Sequence, residues 1–368
     1  MITSGHCIYL DANASEPIRP KALSAMIQAA ELVGNPSSVH QAGRKNYNAM
    51  EDARDCLADL FGSDPQNAIF TSGGTEADIL AIYGQIGNRP LWIGATEHPA
   101  IRQVDLPKKI LPVNSNGVID LVFLEQALAE AEIPPMVCLM MANNETGVIH
   151  PIGQAASLCH QYGAILHVDA IQACGRLTVH LNELAADSLA LSGHKMGGPK
   201  GAGLLLLAET ESGSARPLMP LLPGGGQEQG RRGGTPALPA IIGMASAAQE
   251  AYDYPRSDLK DMRDEIEREA RKLGAIIAGD DAERLENTSC LIFPGCLAQQ
   301  QVMALDLAGF CVSSGSACSS GKVNQSPVLL AMGFGELASC AIRVSLPWNV
   351  EESAIGQFIE AYRKCVKS

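Results

Sequence analysis

The chain has no C-x-x-C pair and no repeated cysteine spacing, and its 11 cysteines are an odd number. A disulfide scaffold or a spaced zinc site is therefore not expected; the pattern fits reduced thiols in a cytoplasmic protein. No apolar run approaches the length of a membrane span, so no membrane partner is expected. The opening residues, MITSGHCIYLDANAS, lack a basic stretch followed by an apolar core, so no export signal is predicted. No block of like charges reads as a tail, and a formal net charge of -13 argues against nucleic acid as a partner. No P-loop is present either: neither 193–198 nor 222–235 has the glycine-to-Gly-Lys-Ser/Thr spacing. What remains is an ordinary globular composition, 46% hydrophobic and 18% charged, in 368 residues, enough for two domains.

The stretch around which the rest is organised is 189–201, LALSGHKMGGPKG. A short apolar run ends on Ser-Gly-His, places Lys195, and breaks into a Gly/Pro loop. A lysine at a strand end among small residues suits a buried amine, whose lowered pKa frees the lone pair for imine chemistry. Upstream, 165–172 (ILHVDAIQ) is a second strand that ends in an acid, Asp169. An acid and a lysine at the ends of successive strands are what pyridoxal phosphate requires, one to keep the ring nitrogen protonated and one to form the imine.

The flanking chain alternates strands and helices, which predicts a largely parallel sheet covered on both faces. Strands are expected at 7–11, 68–70, 90–94, 136–141, 165–169, 189–192 and 202–207, with a strand-turn at 113–121. Thr75, His98, Asn144, Asp169 and Lys195 each follow one of these strands. Ligands of such sheets bind beyond the strands' carboxyl ends, so the five converge on one edge. Thr71-Ser72-Gly73-Gly74-Thr75-Glu76 joins strand to helix and aims backbone N–H groups at an anion; a capped helix without a ligand has the same signature. In 222–235, LPGGGQEQGRRGGT, two arginines among many glycines suggest an anion or interface role. The helix 258–273 reads as a solvated charged face. A composition shift near 252–256 divides the chain into a large domain, 15–252, and a smaller α/β domain made of 1–14 and 253–368.

Cys318 lies in a run of serine and glycine, 313–321, which suits a reachable, ionisable thiol; an incidental cysteine in a linker would look the same. The remaining cysteines mostly sit in apolar contexts and read as core.

Taken together the chain resembles the pyridoxal-phosphate cysteine desulfurases of the class-V aminotransferase, fold-type I group, in the subgroup with an SSGSAC loop that serves iron–sulfur cluster assembly. The matching motifs, in family order, are YLDANA, GNPSSVH, FTSGGTEADILAI, TEHPA, NNETG, HVDAIQ, SGHKMGGPKG, GGGQEQGRRGGT, SSGSACSSG and IRVSL. The resemblance implies that Lys195 forms the imine with the cofactor and acts as the Cα base. It implies that Asp169 pairs with the pyridinium nitrogen, Gln172 bonds the ring hydroxyl and His98 stacks on the ring and shuttles protons. Gly74, Thr75, Ser192 and His194 would hold the phosphate, and Thr235 would reach the phosphate of a neighbouring subunit, so a homodimer is implied. Arg343 and Asn144, with Asn35 beside them, would hold the substrate carboxylate, and Asn144 also borders the cofactor. L-Cysteine would become L-alanine while Cys318 takes the sulfur as a persulfide, for delivery to a sulfur-acceptor protein. No metal is implied.

Two features depart from the family pattern. Ser15-Glu16 stands where two threonines are usual, which points to a changed substrate entrance. The chain stops at Ser368 soon after its last helix, so docking through a longer tail is not expected. A class-V aminotransferase, a selenocysteine lyase and a non-catalytic partner protein are the alternatives. An aminotransferase would not need Cys318.

Overall fold

The computed structural model describes residues 7–209, 213, 214, 216, 218–253, 257–314 and 325–367. Strand β1 (Ile8–Tyr9) opens the chain. Seven strands then build the main sheet: β2 (Ala68–Thr71), β3 (Leu91–Gly94), β4 (Lys108–Leu111), β5 (Met136–Met140), β6 (Ile165–Asp169), β7 (Ser188–Ser192) and β8 (Gly203–Leu207). Their order is β2-β8-β7-β6-β5-β3-β4. Pairing is parallel from β7 through β6, β5 and β3 to β4, while β8 is antiparallel to both β7 and β2. Only β8 therefore runs against the rest, and the carboxyl ends of all the other strands gather at one edge.

Every residue of β2, β3, β5, β7 and β8 is buried, which is why these strands read as near-continuous apolar runs. The exception is β4, KKIL, an edge strand whose Lys109 and Ile110 are exposed. The sequence predicts a strand-turn at 113–121 instead, and there the structure has one bridge, Val113 to Ile119. An edge strand carrying two lysines has little apolar pattern to reveal it. Lys109 Nζ lies 4.4 Å from the centroid of the Trp92 ring and so covers part of the sheet.

A second core forms farther along the chain. It is built from β9 (Ile276–Ile277), β10 (Thr288–Ile292), β11 (Phe310–Cys311) and β12 (Ala341–Ser345) with the helices Leu259–Leu273 and Glu352–Lys367. Strands β12-β10-β9 form an antiparallel sheet, and β1 pairs with β11 in parallel. Phe358 meets Phe310 edge-on at 5.7 Å and stacks on Tyr362 at 5.9 Å. Leu10, from the start of the chain, packs into the same core.

The helix Leu259–Leu273 is more than the solvated face its composition predicts. Leu259, Met262, Ile266 and Ala270 form its buried stripe, and two of its charges are buried as well. Arg263 donates to the Leu285 carbonyl at 2.7 Å, and Glu267 accepts both arms of Arg284 at 2.6 and 2.9 Å. Helical spacing identifies the apolar stripe but does not reveal partners that come from elsewhere in the chain.

Candidate active site

A cavity of about 570 Å³ opens at the carboxyl edge of the main sheet. Gly74 and Thr75 enter it after β2, His98 after β3, Asn144 after β5, Asp169 and Gln172 from β6, and Ser192, His194 and Lys195 from β7. Arg343 on β12 closes it from the second core. All of these are expected from the sequence, and one cavity gathers them.

Two expected residues lie elsewhere in this single chain. Asn35 is exposed, and its side-chain oxygen accepts the Ser37 N–H at 2.8 Å, capping its own turn. Thr235 lines a separate small cleft with Phe70, Ser72 and Arg232. Cys318 lies outside the described residues, but Ser313 before it and Pro327 and Val328 after it line the cavity.

Lys195 follows β7 in a single 3-10 turn, Gly193–Lys195, and its amine donates to the carbonyls of Asn13 and, at 2.9 Å, Ala14. Burial, with Arg176 and Arg343 nearby, lowers its pKa to about 7. Near neutral pH a sizeable fraction of this amine is thus unprotonated. Asp169 ends β6, and its Oδ1 accepts the Ile171 N–H at 2.9 Å. Burial, reinforced by the Asp78 carboxyl, pushes Asp169 up to about 7. Among the described residues no cation pairs with it, so the site holds a buried acid in want of a positive partner.

The sign of that shift is testable. Asp169 binds its proton more tightly folded than unfolded, so its contribution to stability is present below its unfolded pKa of about 4 and lost as pH rises through about 7. In denaturation of the dialysed protein, wild type is expected to lose ground to Asp169→Asn between about pH 4 and 7, the interval from the unfolded to the folded value. A flat difference across that interval would refute the shift.

His98 caps the helix Pro99–Arg102, its Nδ1 accepting the Ala100 N–H at 3.1 Å. That bond makes Nδ1 an acceptor and leaves the proton of the neutral ring on Nε2; burial lowers the pKa and favours the same neutral form. Gly74 and Thr75 begin the helix Gly74–Gln85, and Glu76 holds the turn by accepting the Ser72 N–H at 2.7 Å. A Cβ on Gly74 would sit 2.1 Å from Ile171 Cδ1, so glycine lets the turn close onto the segment after Asp169. Arg343 is already oriented: it donates to Asp11 Oδ1 at 2.6 Å and to the Asn144 carbonyl at 2.9 Å.

Sequence reasoning missed Asp11, Asn13, Glu97 and Glu145, which also line the cavity. Asn13 Nδ2 donates to Thr288 at 3.0 Å, and its carbonyl accepts Gln172 Nε2 at 3.0 Å as well as the Lys195 amine. The YLDANA motif holds both Asp11 and Asn13, but their partners lie more than a hundred residues away. Ser15 and Glu16 do not line this cavity, but Glu16 lines a neighbouring cleft that shares Lys195 with it. Ser15 Oγ lies 3.3 Å from His194 Nδ1, and Glu16 pairs with Arg176 at 3.2 Å. The arginines of 222–235 likewise have protein partners: Arg232 pairs with Glu76 at 2.8 Å and Arg231 donates to the Gln66 carbonyl at 2.6 Å.

A family model described as Aminotransferase class-V matches residues 8–358. A cysteine desulfurase of Cereibacter sphaeroides is 38% identical over 370 residues, spanning 96% of this chain and 94% of its own. An IscS-like cysteine desulfurase of Mycobacterium tuberculosis is 34% identical, over 96% of this chain and 94% of its own. The X-ray structure of a NifS-like protein from Rickettsia africae superposes with a TM-score of 0.89 at 31% identity, covering 99% of this chain and 100% of that one. The fold, the convergence of lysine and acid at one sheet edge, and this end-to-end similarity agree: the chain belongs to the class-V aminotransferase family, among its cysteine desulfurases.

Proposed function

We propose that the chain converts L-cysteine to L-alanine with pyridoxal phosphate as cofactor, and that Cys318 receives the sulfur. The observation that carries this reading is the lowered Lys195 amine facing the same cavity as a buried Asp169 that forms no ion pair among the described residues. These residues fit the cofactor. Asp169 would meet the pyridinium nitrogen, Gln172 the ring hydroxyl and His98 the ring. Gly74, Thr75, Ser192 and His194 would hold the phosphate, with the N-terminus of the helix Gly74–Gln85 adding its dipole. When bound, pyridoxal phosphate supplies the electron sink that makes the substrate Cα–H acidic.

The chain's own groups do the rest. Arg343, braced by Asp11, presents its guanidinium to the substrate carboxylate, and the Asn144 side chain lies beside it. Unprotonated Lys195 takes the Cα proton, and His98, whose Nδ1 is occupied by the Ala100 N–H, would have its Nε2 proton to give. The Cys318 thiolate attacks the substrate sulfur, forming an S–S bond as the C–S bond breaks. The bond pair goes to the substrate carbon, which takes up a proton to give alanine, so thiol plus cysteine becomes persulfide plus alanine. The persulfide then serves a sulfur-acceptor protein, by the family's usual role in iron–sulfur assembly, in the reducing cytoplasm.

The homodimer belongs to the same proposal. Val33 and Val39 flank Asn35 and are 84% and 88% exposed, apolar side chains that a second copy would cover. By the family resemblance, a partner's Thr235 would complete the phosphate end of each site.

The test is peptide mass mapping after incubation with L-cysteine without reductant. One extra sulfur on the Cys318 peptide together with released alanine is the expected result, and Cys318→Ser is expected to lose both. Amino-group transfer that survives Cys318→Ser would favour an aminotransferase instead.

A further inference from the structure

Away from the cavity, two thiols meet at the surface. Cys7 precedes β1 and Cys311 ends β11; their sulfurs lie 2.8 Å apart although 304 positions separate them. Cys7 is exposed and Cys311 half-buried. The register beneath them is set by two backbone bonds, Ile8 N–H to the Gly309 carbonyl at 2.8 Å and Leu10 N–H to the Cys311 carbonyl at 2.9 Å. Cys7 lies one residue before β1 and the register pairs Tyr9 with Cys311, so the two thiols meet diagonally across the start of the paired strands.

We propose that Cys7 and Cys311 form a reversible disulfide, with a low-molecular-weight disulfide such as glutathione disulfide as oxidant. Exposed Cys7 is the attacking thiol. Burial and the neighbouring Cys7 push the Cys311 thiol up to about 12, so Cys311 keeps its proton and offers it to the Cys7 sulfur. The Cys7 thiolate attacks one sulfur of the oxidant, breaking its S–S bond and releasing one glutathione as thiol. Once Cys7 is in the mixed disulfide, Cys311 gives its proton to solvent, its thiolate attacks the Cys7 sulfur, and the second glutathione leaves as a thiolate that takes up a proton. The two protein thiols lose two electrons, and the oxidant gains them as two thiols.

The bond would join the two segments that enter the cavity side by side. From β1 the chain runs directly to Asp11 and Asn13, which hold Arg343 and Lys195. From β11 it runs to Ser313, which exchanges backbone hydrogen bonds with Arg343, 2.7 Å in one direction and 3.2 Å in the other. Redox state at the surface is therefore wired to the placement of Arg343. This inference holds whether or not the chain acts on cysteine.

The full-length protein is equilibrated in glutathione buffers of stepped oxidised-to-reduced ratio, quenched with acid and alkylating agent, digested and mapped by mass. A linked Cys7–Cys311 peptide is expected, rising with a single midpoint and abolished by excess dithiothreitol. Cys311→Ser is expected to leave Cys7 carrying one glutathione, and Cys7→Ser to remove the link. The oxidised wild type should also melt higher than the reduced form by at least ~2 °C, and Cys7→Ser should show no such shift. Separate glutathione adducts or free thiols on Cys7 and Cys311 at every ratio would overturn the proposal, as would a Cys7 link to Cys318.

Discussion

Replacing Lys195 with alanine lowers alanine release from L-cysteine by at least ~10³-fold, because the variant loses the group that takes the Cα proton. Lys195→Arg is expected to be as inactive, since a guanidinium stays protonated at any working pH. The alanine variant should stay folded, whereas the arginine variant should melt lower because its charge cannot be neutralised in the same buried place. The amine sits where burial already lowers its pKa to about 7, so removing it relieves a desolvated charge. Steady-state rates beside thermal melts would separate the two effects: activity lost with melting unchanged or raised is the expected result for Lys195→Ala, and activity within tenfold of wild type would sink the assignment.

The second large effect concerns stability. Arg54→Ala is expected to cost about 3–5 kcal/mol, read as a shift of the urea midpoint at constant slope. Arg54 and Glu228 form a two-pronged pair, 2.7 and 2.9 Å, with side chains only 8% and 2% exposed. The same guanidinium donates to the Ala68 carbonyl at 2.6 Å and lies 4.5 Å from the Phe70 ring centroid, while Glu228 accepts the Phe70 N–H at 2.9 Å. Losing Arg54 strands a buried carboxylate beside β2. It also releases the turn at Glu228 and Gln229, whose φ of 49° and 57° place two non-glycine residues in the left-handed region. Joint replacement, Arg54→Met with Glu228→Leu, should recover much of the loss because the buried charge goes with its partner and Glu51, which also pairs with Arg54, is partly open to solvent. A cost below about 1 kcal/mol for Arg54→Ala would mean that the pair is solvated.

The Arg54–Glu228 pair also shows where sequence reasoning runs out. The strands with both faces covered, such as β5 and β7, announce themselves as apolar runs, and a polar residue at a strand's end marks the sheet edge that binds ligands. His98, Asn144, Asp169 and Lys195 were legible for that reason. Asn13 and Glu228 were not, because each meets its partner across a long stretch of chain and the local pattern around it is that of a turn; Asp11 ends a predicted strand, but that strand pairs outside the main sheet. The two arginines in 222–235 looked free for the same reason: glycine-rich context shows that a loop can bend, and says nothing about which acid it bends toward. The edge strand β4 was hidden by its lysines.

The single reversed strand has a consequence in time. β2 stands at the end of the sheet order and, among the described residues, has β8 as its only strand neighbour, with Ala68 registered against Leu206. At a synthesis rate of ~5–20 residues per second, β2 leaves the ribosome many seconds before the strand that will cover its edge exists. Until then its Ala-Ile-Phe-Thr segment is an apolar strand without a neighbour, open to wrong pairing. The Gly74–Thr75 corner that follows it is thus made early and finished late, and a nascent chain halted before residue 203 would carry an unassembled phosphate end however well β3 to β7 had formed.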